Sequence, residues 1–180
     1  MDEARPGQCP ACGAAGRPAG GALGLHGHGL RERHQWGPLE PGGAPRLVGI
    51  QQRRYQCQTC CAIVVVVPSG VLFRRLYSAG AIAIALALYG VSRLAPAEVR
   101  SRVSPLRITG ATAAAGWASL RRWARAVRAT RLFEFVRSLP PEATLREVAG
   151  RAATTLAACA PATGGLELDS AAFLGATHVS

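Results

Sequence analysis

Two Cys-x-x-Cys pairs, Cys9-Pro10-Ala11-Cys12 and Cys57-Gln58-Thr59-Cys60, carry the chemistry most readable from residue type and spacing. Each such tight turn presents two sulfurs to one side while its backbone amides hydrogen-bond them. Two turns together supply the four thiolates that tetrahedral Zn2+ takes at about 2.3 Å. Four protein thiolates leave no open position for a substrate, so the spacing predicts one structural zinc ion on Cys9, Cys12, Cys57 and Cys60. Gly13 after the first pair suits the positive φ that these turns often need, whereas Cys61 after the second pair is a departure. Other readings stay open on the residues alone. The four can be ordinary buried thiols, or Cys9-Pro10-Ala11-Cys12 a glutaredoxin-like dithiol, which needs a strand before it and a helix after it where this sequence has Gly and Ala loops. Cys61 can exchange with Cys60 as a ligand, and His26, His28 or His34, lying between the pairs, can replace a thiolate. Cys159, alone in an Ala-rich segment, reads as a small core residue.

The second chemical signal is cationic. On a helical wheel of about 100° per residue, Trp117, Leu120, Trp123, Ala124 and Val127 share one sector, and Arg121, Arg122, Arg125 and Arg128 share another centred about 140° away. One face is suited to a core and the other to anions. A helix of this kind fits the major groove of B-DNA, where Arg pairs bidentately with guanine or holds phosphates. Arg100, Arg102 and Arg107 are placed to clamp the flanking backbone. A solvated basic face without a partner, and an acidic membrane surface, are the competing readings.

These groups need elements to hold them. In the first third, Gly and Pro punctuate short extended candidates: Leu23 to Arg33, Arg46 to Gln56, and the β-branched run Ala62 to Val67 closed by Pro68. That region is too short and Gly-rich to fold on apolar burial alone. From Ser78, a fitting N-cap, the pattern turns to an Ala-rich helix ending near Gly90. A second helix begins at Pro96 and ends near Val103, before Ser104-Pro105. A third runs from about Thr112 to Arg128, interrupted weakly by Gly116, and a trihelical unit follows from the three. After Pro140-Pro141, Leu145, Val148, Ala149, Ala152, Leu156 and Ala160 form the stripe of a fourth helix, expected to pack on the others or to mediate self-association. The stretch from Pro161 is sparse in apolar residues and is expected to be a flexible tail.

Across 180 residues the chain holds 21 Lys+Arg and 10 Asp+Glu, a formal charge of +11, with 49% apolar and only 6% aromatic residues. Every basic residue is Arg. Residues 71–130 carry ten Arg against one acid, whereas residues 131–180 carry four against five, so the basicity belongs to the middle of the chain. Composition excludes an acidic disordered tail and a large multidomain enzyme. The longest uncharged apolar run, Ser78 to Ser92, falls short of the roughly 20 residues that span a bilayer, so no membrane helix is expected. No hydrophobic stretch precedes Cys9, which argues against a secretory signal and for a reducing, cytoplasmic, nucleoid-associated setting, where paired cysteines are more often metal ligands than disulfides. The expected fold is α+β: a zinc ribbon over 1–70, a helix-turn-helix unit over 71–130, and a C-terminal helix with a flexible tail over 131–180.

The whole pattern resembles a family of bacterial proteins related to the N-terminal regions of transposases, a zinc ribbon followed by a helix-turn-helix. The resemblance rests on Cys9-Pro10-Ala11-Cys12-Gly13, Arg53-Arg54-Tyr55-Gln56-Cys57-Gln58-Thr59-Cys60, Val67-Pro68 leading to Arg74-Arg75-Leu76-Tyr77, and Trp117-Ala118-Ser119-Leu120-Arg121-Arg122-Trp123. It covers about residues 9–128. It implies Cys9, Cys12, Cys57 and Cys60 as zinc ligands and the third helix as the reader of double-stranded DNA; a transposase, or a second copy of the chain through the C-terminal helix, is the expected protein partner. Full transposases add a nuclease domain that sets three carboxylates around two metal ions. Residues 131–180 offer only Glu134, Glu142, Glu147, Glu167 and Asp169, so no catalysis is expected. The expected role is an accessory or truncated front end of a mobile-element gene, or a transcriptional regulator. An RNA-binding or protein-docking ribbon is the alternative.

Overall fold

The computed structural model describes residues 5–110, 116–161 and 164–180. The architecture is α+β, and the chain divides into two compact units. One is built from the chain up to His34 together with Gly49–Pro68, the other from Gln35–Val48 and Ser69–Ser180.

The first unit holds most of a three-stranded sheet in the order β1-β2-β3, with β1 Leu25–Gly37, β2 Arg46–Cys57 and β3 Ile63–Val66: β1 up to His34, β2 from Gly49 and all of β3. Strands β2 and β3 run antiparallel with Tyr55 opposite Val64 and Arg53 opposite Val66. Its core is small: Cys9, Leu25, Tyr55, Cys57 and Val64 are buried, with Ala14, Ala62 and Val66 packed against them.

The second unit is helical. Helix α1, Ala79–Gly90, starts at Ser78, whose Oγ accepts from the Ala81 amide at 3.0 Å. Ten consecutive residues from Ala79 to Leu88 are buried. A helix apolar on every side has no solvent face to offer, so it becomes the axis of the core. Helix α2, Pro96–Val103, begins with Pro at its first turn as expected. Helix α3 is Ala118–Arg128, shorter than the expected span from Thr112. Gly116 takes a left-handed φ of 83° and Trp117 is extended, so the helix cannot propagate backwards through them. Residues 112–115 of the expected helix lie outside the described residues. Helix α4, Leu145–Ala158, carries a full capping box: Thr144 Oγ accepts from the Glu147 amide, and Glu147 Oε2 accepts from the Thr144 amide at 2.6 Å. That amide, with the Thr144 hydroxyl, holds the Glu147 carboxyl below its usual range.

The stretch after Pro161 corrects the expected loose tail. It contains helix α5, Leu168–His178, whose Ala172, Phe173, Gly175 and Ala176 are buried. Few large apolar residues are needed because the packing is close. A Cβ on Gly175 would run into the Leu156 carbonyl oxygen of α4, and one on Gly80 of α1 would run into the Phe173 ring. Helices α1, α4 and α5 make the most extensive contacts of the unit, and α2 and α3 join them through α1 and α4. Gly175→Ala should therefore cost about 1–3 kcal/mol or more, since backbone rather than a flexible side chain must yield. Denaturant unfolding followed by helical circular dichroism measures this, and an unchanged midpoint would mean that α5 is not seated on α4.

Four rings bind the start of α3 to the rest of the unit. Tyr77 meets Trp36, Trp117 and Trp123 edge-to-face at 5.5, 5.6 and 5.0 Å, and Trp117 meets Trp123 at 4.9 Å. The Tyr77 hydroxyl donates to Ser104 Oγ at 2.8 Å. Among the described residues no helix is long and apolar enough to cross a membrane.

Candidate metal centre and basic helix face

The two Cys-x-x-Cys turns fold alike. In the first, the Gly13 amide donates to the Cys9 carbonyl and the Cys9 amide to the Ala14 carbonyl, both at 2.8 Å. In the second, the Cys61 amide donates to the Cys57 carbonyl and the Cys57 amide to the Ala62 carbonyl, both at 3.0 Å. Gly13 (φ 73°) and Cys61 (φ 60°) occupy the same left-handed position, so Cys61 stands where glycine would be the easier residue. β2 delivers Cys57, and the antiparallel return into β3 closes the second turn.

Four sulfurs meet as a result. The ligand atoms of Cys9, Cys12, Cys57 and Cys60 all lie within 4.8 Å of one another. Cys9 Sγ is 3.7 Å from Cys60 Sγ, and Cys12 Sγ is 3.7 Å from Cys57 Sγ. An ion held about 2.3 Å from four thiolates at tetrahedral angles sets its sulfurs about 3.8 Å apart, so the donor set fits such an ion. All six cysteines are free thiols. Among the described residues no other group of metal-ligating side chains forms, and neither Cys61 nor His26, His28 or His34 belongs to this one. The three histidines sit on β1, exposed. Cys159 is half-buried at the end of α4, where its thiol donates to the Thr155 carbonyl.

The turns also set thiol acidity. The Cys60 and Thr59 amides aimed at its sulfur, against a burial penalty, bring the Cys57 thiol down to about 6. Although the Ala62 amide opposes it, the crowding of Cys12, Cys57 and Cys9 with burial pushes Cys60 up to about 12; against the opposing Ala14 amide and Cys60, Cys12 is raised by burial, Cys57 and Cys9. Cys57 is thus the acidic sulfur of the group, while Cys12 and Cys60 hold their protons more firmly. Near neutral pH an entering divalent ion finds Cys57 already a thiolate and must displace the protons of Cys12 and Cys60. Calorimetric metal titration in buffers of different ionisation enthalpy should show proton release, and apparent affinity should fall as pH drops, because protons on the ligand sulfurs compete with the ion. Uptake without proton release would contradict thiolate ligation.

Helix α3 separates its two faces as the wheel predicts. Leu120, Trp123, Ala124 and Val127 are buried, while Arg121, Arg122, Arg125 and Arg128 are exposed. Arg128 donates to the Ala143 carbonyl. Arg102 is exposed and paired with Glu98 at 2.9 Å, and Arg107 is exposed in the stretch after α2. Arg100 departs from the expected outward clamp. It is 8% exposed, on the side of α2 that also buries Val99 and Val103, because those two valines orient that side toward the core. Arg74 and Arg75, in the loop before α1, and Arg146, whose guanidinium donates to the Tyr89 carbonyl and lies 4.2 Å over the Tyr89 ring, were not singled out as site residues by spacing. Only their place in the fold gives them neighbours.

Fold and site together define a two-unit α+β protein with a four-cysteine metal-binding group in its β unit. No family profile, curated protein sequence or solved structure matches the chain.

Proposed function

We propose that this chain is a zinc-stabilised protein that binds double-stranded DNA through the arginine face of α3. In this reading the β unit is a zinc ribbon whose ion, held by Cys9, Cys12, Cys57 and Cys60, is structural. Zinc suits four thiolates that leave no open coordination position, and iron in the purified protein in place of zinc would contradict it. Helices α1 to α3 serve as the helix-turn-helix, with α3 as reader. The chain acts as a transposase-related accessory of a mobile element or as a regulator at a DNA site.

The observation that carries the reading is the segregation on α3: four exposed arginines opposite four buried apolar side chains, with no acidic residue in the helix. Arginine forks suit phosphate oxygens and the O6/N7 edge of guanine. The burial of Tyr55, Tyr77, Trp117 and Trp123, at most 8% exposed, leaves those four rings little face for base stacking and favours duplex over single-strand recognition there. Arg121 and Arg125 belong on the groove side, and Arg102 and Arg107 are free of core packing to reach flanking phosphates.

Duplex binding should weaken with salt at a slope of about −0.9 per phosphate contact, giving roughly −4 to −7 for several arginines. Arg121→Ala and Arg125→Ala should each reduce affinity without lowering stability. A loss of about 1–3 kcal/mol that also relaxes base preference marks a base reader, and a uniform loss with a shallower slope marks a phosphate contact. A double variant with the parent's affinity and salt slope overturns the proposal.

A further inference from the structure

The helical unit holds a cavity of about 500 Å³ that neither the metal centre nor the outward arginine face explains. Its floor is the ring cluster, and all three tryptophans of the chain line it. Arg74 and Arg75 reach it from the loop before α1, Arg100 from α2 and Arg122 from α3, and no Asp or Glu lines it among the described residues. Four cations in one partly enclosed cleft focus a positive potential, and an anion that enters relieves their mutual repulsion. The first turn of α3, which no side chain caps and which contains no acidic residue, opens on the same space. Opposite chemistry lies at the edge, where Leu76, Leu106 and Ile108 are 51%, 47% and 43% exposed.

A cationic recess beside an apolar edge, in a volume typical of sites for small organic ligands, is larger than phosphate alone requires. We propose that this cavity binds a nucleoside phosphate, its phosphate held by the Arg74, Arg75 and Arg122 forks and its base laid against Leu76, Leu106 and Ile108. Forked guanidinium groups match phosphate oxygens two at a time. The inference shares Arg122 with the duplex-binding reading but can be separated from it, because Arg121, Arg125 and Arg128 do not line the cavity. The occupant is either a free nucleotide or a nucleotide of a nucleic-acid strand.

The zinc-loaded full chain, titrated with dAMP, adenosine and inorganic phosphate, tests this through the indole N–H signals of its three tryptophans. dAMP should shift them saturably, inorganic phosphate should bind more weakly, and adenosine should leave them in place. The Arg74→Ala/Arg75→Ala variant should lose about tenfold or more in dAMP affinity, with Arg74→Ala alone as the milder variant if the double change disturbs folding. Arg121→Ala/Arg125→Ala should bind dAMP as the parent does, even where it loses duplex DNA. Displacement of dAMP by a single-stranded oligonucleotide supports the site and names a strand nucleotide as occupant, and no displacement supports it with a free nucleotide. The proposal falls if dAMP at millimolar concentration shifts no indole signal, if adenosine or inorganic phosphate binds as well as dAMP, or if the arginine variants retain full dAMP affinity.

Discussion

Chelation of the intact chain should unfold the β unit and leave the helices folded. Apart from its two ligand cysteines, the buried core of that unit is Leu25, Tyr55 and Val64. Side chains of this kind contribute about 1.5–3 kcal/mol each when fully buried, which falls well short of the entropy lost in ordering three strands and two turns. A structural zinc ion contributes on the order of 10–16 kcal/mol at neutral pH, comparable to the whole stability of a domain. The helical unit draws on a different source, the continuous core around α1. Amide exchange should then show loss of protection at Tyr55 and Val64 on chelation, with Ile82 and Leu86 still protected. Cys57→Ser should have the same effect without a chelator, whereas Cys61→Ser should keep one equivalent of metal, since Cys61 lies outside the sulfur cluster. Full loss of helical signal on chelation would show that the helices need the metal, and full protection at Tyr55 would show that the β unit does not.

What the sequence disclosed divides along physical lines. Local signals were readable: Ser78 as a cap, Pro96 as a helix start, and two Cys-x-x-Cys turns, each bringing two sulfurs to one side. Features set by distant packing were not. Strand β1 continues past Arg33 to Gly37, where the Trp36 amide donates to the Leu76 carbonyl and the Ser78 amide donates to the Trp36 carbonyl. Nothing near Trp36 in sequence announces partners some forty residues away. Helix α5 escaped because its burial depends on the absence of side-chain atoms at Gly175, which a count of large apolar residues does not register. Arg100 was placed outward by its charge, but the outward side of α2 is decided by Val99 and Val103 against the core. The arginine-lined cavity was hidden for the same reason, since its residues come from segments that only the fold brings together.

Trp123→Ala should bring the helical unit close to unfolding while the metal stays bound. Trp123 is 5% exposed and stands edge-to-face with both Tyr77 and Trp117, so truncation removes a large buried surface and two ring contacts at once. Buried Trp→Ala changes cost about 3–5 kcal/mol, a large part of a stability of about 5–15 kcal/mol. Ring pairing of this geometry adds about 0.5–1.5 kcal/mol per pair beyond area, so Trp123→Phe, which keeps an aromatic edge, should lose clearly less. Arg121→Ala, two positions away on the exposed face, should stay within about 0.5 kcal/mol, which makes the pair a direct measure of how completely α3 separates packing from charge. Urea unfolding monitored by helical circular dichroism gives the three values, and metal content of Trp123→Ala should remain at the parent's level because no ring of the cluster belongs to the β unit. Equal costs for Trp123→Ala and Arg121→Ala would mean that α3 does not bury its apolar face. A DNA-binding face on that helix would then lack the rigid support on which its arginines depend.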